Sequence, residues 1–107
     1  LARRLTLETR DALPDGSGGF DVLWRPLGAI WAEVTARSGR EDFVSGAPVS
    51  RVKYRIITRA APPGSEARPR PEQRLREGER IFNILSVAEH DPRGRFLEIL
   101  AEEGVLP

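Results

Sequence analysis

Three short groups of residues in this chain have types that do chemistry. The first is His90 beside Asp91, in the run His90-Asp91-Pro92-Arg93-Gly94. A histidine oriented by a carboxylate can act as a general base when a pocket holds the substrate. His90 is the only histidine, and it falls in a Pro/Gly turn, where a solvated ring is the plainer reading. The second group is Glu102-Glu103. Paired carboxylates can divide acid and base roles, but next to a strand end these two read as a solvated hairpin terminus. The third is Gly16-Ser17-Gly18-Gly19. It lacks the Lys-Ser/Thr and the long helix that let a glycine loop cradle phosphate. No nucleophile, base and orienting group can be assembled from these residues. The expectation is a protein that is not an enzyme and uses no cofactor. With no cysteine, disulfides and thiolate metal sites are excluded, and one histidine cannot build a metal site alone.

The cations are the other chemically pointed feature. Lys53 is the only lysine, and every other cation is arginine. A GC-rich genome produces that bias through codon choice. Arginine forks also bind carboxylates and phosphates bidentately at interfaces. The total is close to balanced, with 17 basic against 16 acidic residues and a net charge of +1. That balance argues against a dedicated nucleic-acid-binding domain, whose affinity comes from many phosphate contacts.

The elements that position these groups read as mostly extended. At 107 residues the chain is expected to be one domain, residues 1–107. Residues 5–9 alternate, with Leu5 and Leu7 facing inward. Residues 15–19 are a turn. Residues 20–24 resume an extended pattern that Pro26 interrupts. Residues 29–36 form a strand with Ile30, Ala32, Val34 and Ala36 on one face and Trp31 on the other; such an outward Trp is usually covered by another element or a partner subunit. Ser38-Gly39-Arg40-Glu41 has the form of a capping box and predicts a short helix to about Val44, ended by Gly46 and Pro48.

Residues 51–59 alternate strictly, Val52, Tyr54, Ile56 and Thr58 opposing Lys53, Arg55, Ile57 and Arg59. The second face is a solvated surface or a basic stripe turned toward nucleic acid or an acidic partner. Residues 60–73 hold four prolines and a glycine, which exclude a regular helix or central strand; a flexible loop that orders on a partner fits them. Residues 81–87 and 96–100 form a hairpin around the 90–94 turn. The fold class is mainly β: a small β-barrel or sandwich of five or six strands, with one short α-helix and long flexible loops. No apolar run is long enough to span a bilayer and no signal-peptide pattern is present, so no membrane partner is expected.

This order of motifs resembles the phage head–tail joining family, also called head–tail connector, head-completion or stopper proteins. The residues that carry the resemblance are Arg4-Leu5-Thr6-Leu7-Glu8, Gly18-Gly19 followed by Trp24, and Ile30-Trp31-Ala32-Glu33-Val34 with Ser38-Gly39-Arg40-Glu41. Val52-Lys53-Tyr54-Arg55-Ile56, Glu79-Arg80-Ile81-Phe82-Asn83-Ile84 and Arg95-Phe96-Leu97-Glu98-Ile99-Leu100 complete it. Each is weak alone; the resemblance rests on their order and spacing together. The Pro/Arg-rich segment 60–73 departs from the family, which has a shorter link there.

The resemblance implies a structural subunit of a phage, prophage or gene transfer agent particle, located in its neck and assembled in the bacterial cytoplasm. It implies a homo-oligomeric ring of six or twelve copies. The ring would sit between portal or adaptor proteins and tail terminator or tail tube proteins, and would line or close the channel for double-stranded DNA. On that basis Arg37, Arg40 and Arg51 are candidate lumen residues near DNA. Trp31, Arg68, Arg70 and Arg74 are candidate partner or subunit contacts. A small β-barrel nucleic-acid-binding module is the alternative, supported by the basic stripe and weakened by the near absence of stacking aromatics beside Tyr54.

Overall fold

The computed structural model describes the backbone of residues 3–44 and 47–105, and the side chains of residues 3–37 and 51–104. Six strands make one antiparallel sheet: β1 (Arg3–Pro14), β2 (Phe20–Val44), β3 (Ala47–Arg59), β4 (Arg74–Glu77), β5 (Arg80–Glu89) and β6 (Phe96–Val105). Their order is β1-β2-β3-β6-β5-β4, and β4 pairs back onto β1, so the sheet closes into a barrel. Closure leaves the interior to side chains alone. Leu5, Leu7, Ile56, Leu75, Phe82, Ile99 and Ala101 fill it. Leu5, Leu7 and Ile56 are inward members of the alternations at residues 5–9 and 51–59. Tyr54 meets Phe82 edge to face at 5.1 Å, the preferred aromatic geometry.

β2 departs most from the sequence expectation. It is a single strand of 25 residues, where a strand, a Pro break, a second strand and a helix were expected. Straight, it would span roughly 80 Å at ordinary strand rise. The molecule is only 45 Å along its longest axis, so β2 must bend. Two bulges supply irregular points. In the first, Leu7 opposes Gly28 and Glu8 opposes Pro26, leaving Leu27 as the extra residue. Gly28, with φ +150, suits such a kink. Pro26 is tolerated because β3 begins to pair with β2 only at Ala32, so one edge of β2 is open at that point.

The expected helix over 38–44 is absent: the backbone there continues β2 and pairs residue by residue with β3, from Ser38 opposite Lys53 to Val44 opposite Ala47. The capping box is a local signal. It lost because a helix of one or two turns has a costly nucleus and little apolar face, whereas the hairpin satisfies the same backbone groups through the ladder. No helix occurs among the described residues.

Two hairpins overhang the barrel. β1 pairs with β4 only over Thr6, Leu7 and Glu8, so Thr9–Pro14 together with Phe20–Arg25 form a two-stranded arm. At the tip, Asp15 Oδ1 accepts from the Ser17 and Gly19 amides. The β2–β3 hairpin likewise runs beyond Ser50, the last β3 residue that β6 reaches.

Residues 60–73 lie outside the sheet but are tied to it. Pro69 and Gln73 are buried. Gln73 accepts the Arg70 amide at 2.8 Å and donates to Thr9 Oγ1 at 3.3 Å. Its backbone carbonyl accepts the Ile84 amide at 3.0 Å.

Candidate interaction surfaces

The residues with catalytic types do not converge. His90 Nδ1 is 3.5 Å from Glu98 Oε2 and 3.4 Å from Arg55 Nη2. Arg55 in turn donates to Glu98 at 3.0 Å. The ring therefore joins a surface ion pair. Asp91 holds the 90–95 turn: its Oδ1 accepts from the Arg95 and Phe96 amides at 2.8 and 3.0 Å. Those bonds, the Phe96 amide first, hold its carboxyl below the usual carboxylate range. Glu102 and Glu103 are successive strand residues and point to opposite faces. Glu102 meets Arg51 at 3.4 Å. Glu103 accepts two bonds from Arg80, each 3.0 Å, and one from the Tyr54 hydroxyl at 3.2 Å. The Arg80 guanidinium pulls the Glu103 carboxyl down. Among the described residues no group of three or more His, Cys, Asp or Glu is placed to hold a metal.

The basic stripe of β3 is not bare. Directly opposed residues of an antiparallel pair share a face, and β6 places Glu102 opposite Lys53 and Glu98 opposite Ile57. Arg55 and Arg51 are drawn onto those carboxylates. The strand face reads as a mixed-charge surface, which weakens the support it lends to phosphate binding.

Of the three candidate lumen residues, Arg37 is the extra residue of the second β2 bulge, between Ala36 and Ser38, and is exposed. Arg40 and Arg51 stand opposite each other in the β2–β3 ladder. The overhanging hairpin thus brings all three near its base.

Trp31 is 56% exposed. Arg4 stands opposite it on β1. With Ile30, Arg59, Ala60, Ala61 and Ala67 it lines a groove of about 530 Å³. Trp31 and the 60–67 part of the loop therefore form one patch. Arg68 is turned inward, donating to the Ala61 carbonyl at 3.0 Å. Arg70 is exposed beyond it. Arg74 is engaged mainly within the subunit. It donates to the buried Glu8 carboxylate at 2.6 Å and lies 4.2 Å from the centre of the Trp24 ring. The Arg74–Glu8–Trp24 cluster joins β4, β1 and β2 where the β1–β2 arm leaves the barrel. It went unread because its members are far apart in sequence.

The arm surface was also missed. Pro14 pairs with Phe20 and Ala12 with Val22, so the four share one face, and Phe20 is 68% exposed. The alternation Phe20-Val22-Trp24 was the available signal; Pro26 directed attention away from it.

The model of the phage head completion protein family matches residues 1–104. This chain belongs to that family. A solved structure described as the virion of a native gene transfer agent particle contains a chain that is 48% identical; the match covers 100% of this chain and 97% of that one, with a TM-score of 0.91. Among curated proteins none matches. Membership of a structural head-completion family agrees with a surface of ion pairs and overhanging hairpins, since such a protein works through contacts.

Proposed function

We propose that this head completion protein is a head–tail connector subunit, a stopper, of a gene-transfer-agent-like particle. It forms a ring between the portal–adaptor complex and the tail, lines or closes the DNA channel, and docks the tail. The observation that carries this reading is the near-complete likeness to a chain of a gene transfer agent virion, together with the family match over residues 1–104. The neck is then its place, reached by assembly in the bacterial cytoplasm. The near-neutral charge suits a conduit through which DNA must later pass without sticking. The β2–β3 hairpin, with Arg37, Arg40 and Arg51 at its base, is the segment assigned to the lumen. Arg70 on the 60–73 segment is assigned to partner docking.

Cryo-electron microscopy of particles from producing cells tests the reading. Density for a ring of this protein between portal and tail is the expected result. Its absence from the neck, with the protein found free and bound to nucleic acid, would overturn the connector reading and favour the small-barrel binding module.

A further inference from the structure

We infer that the tip of the β1–β2 arm of one subunit seats in the Trp31 groove of the next copy of this chain. The inference rests on the ring reading above and names the contact that builds the ring.

Beyond its base, where Gln73 donates to Thr9 Oγ1, the arm is a two-stranded ribbon with no further strand paired on either outer edge. Such a ribbon is marginal in water without something to pack on. Its face of Ala12, Pro14, Phe20 and Val22 is apolar, and Phe20 is 68% exposed. An apolar ribbon face of this kind marks an interaction site.

The groove is the fitting receiver. Its walls at Ile30, Trp31, Ala60, Ala61 and Ala67 are apolar, and small alanines leave room for an aromatic ring. Charge agrees as well. The arm carries Asp11, Asp15 and Asp21, and its two arginines, Arg10 and Arg25, stand at its base. Arg25 neutralises Asp11 at 2.8 Å, leaving Asp15 and Asp21 at the tip. Trp31 is flanked by Arg4, opposite it in the ladder, and Arg59, with it in the groove. An acidic-tipped apolar finger thus matches an apolar slot flanked by arginines.

A subunit does not satisfy itself. Phe20 and Trp31 lie on the same strand, and the β1 ladder from Arg3 to Pro14 holds the arm extended. Both side chains remain exposed in the single chain. Arm and groove are different patches, so the contact is heterologous and propagates from copy to copy until rotation closes it.

The chain has no cysteine, which makes the contact directly testable. Val22→Cys and Ala61→Cys are introduced singly and together, and particles carrying each variant are purified, oxidised and run on non-reducing gels. The double variant should give a ladder of covalent multimers, while each single variant gives monomer. Co-production of the two single variants should give dimers and no higher species. No ladder from the double variant, or multimers from Val22→Cys alone, overturns the inference. Imaging the same particles separates it from the ring reading. Ring density without the ladder sinks the arm–groove contact only. No ring density sinks the ring as well.

Discussion

Arg74 stacks its guanidinium over the Trp24 indole, 4.2 Å from the ring centre, while its Nε donates to Glu8. One side chain therefore fixes the base of the arm to the barrel wall. Glu8 is 5% exposed, and its carboxylate is held by Arg74 at 2.6 Å, with Arg76 a second cation at 3.9 Å. Removing one member of a buried pair leaves the other unpaired, at a cost of about 3 kcal/mol or more. Arg74→Ala should lower the unfolding free energy, read from the urea midpoint and slope, by up to about 3 kcal/mol, Arg76 remaining as the second cation. Glu8→Gln with Arg74→Met should cost clearly less, because it leaves no orphaned charge. Equal losses in the single and double variants would mean the pair is not coupled.

The carboxyls of Glu77 and Glu103 are held below their ordinary range by Arg3 and Arg80 respectively, and that of Asp91 chiefly by the Phe96 amide. A depressed folded value means the folded state favours the charged form. The stability they add is complete above the ordinary carboxylate range near pH 4. It is lost as pH falls through the depressed values. Thermal unfolding from pH 7 to pH 2 should show a flat region and then a fall below about pH 4. Glu103→Gln should flatten that fall. An unchanged acid limb would show that the Arg80–Glu103 pair contributes nothing.

Residue type separates two positions of positive φ. Gly94 has φ +64 in the β5–β6 turn. A side chain there is strained, and a Cβ would also come 2.9 Å from the Glu89 carboxylate. Gly94→Ala should cost about 1 kcal/mol. Glu72 carries φ +73 although it is not glycine. There Glu72→Gly relieves strain while freeing the unfolded chain, and should stay within about 0.5 kcal/mol of neutral. Denaturation midpoints of the two variants check the contrast.

Arg68 and Arg70 part company. Arg68→Ala removes the bond to the Ala61 carbonyl and should cost about 1 kcal/mol. Arg70→Ala should leave the fold unchanged yet lower the yield of complete particles. Normal yields would count against a docking role for this segment.

Trp31 should report assembly. In a Trp24→Phe background it is the one remaining tryptophan, exposed in the single subunit. Its emission should be red-shifted in the isolated protein and blue-shifted in the particle. Identical spectra would remove Trp31 from any interface.

What the sequence made legible was whatever repeats locally. Leu5 and Leu7, and Ile56 with Thr58, announced their inward faces by period-2 alternation. Asp91 and Gly94 announced a turn by type. What stayed hidden depended on distant partners. Ser38 to Glu41 is a fair capping box until β3 offers a ladder. Pro26 is a fair strand breaker until its edge proves open. Arg55 and Lys53 look like a cationic stripe until Glu98 and Glu102 arrive from β6, more than forty positions on. Arg74 and Glu8, 66 positions apart, gave no local sign at all.

The barrel is a ring of unequal joints. β3 and β6 share ten paired positions, while β1 and β4 share three. That short joint also spans the longest loop, because Leu7 meets Leu75. Loop closure of that length delays pairing, so this seam is expected to be the last to zip during folding and the first to open, which amide exchange along β4 would read. The protein behaves as a clasped band, with Arg74 as the catch beside the clasp.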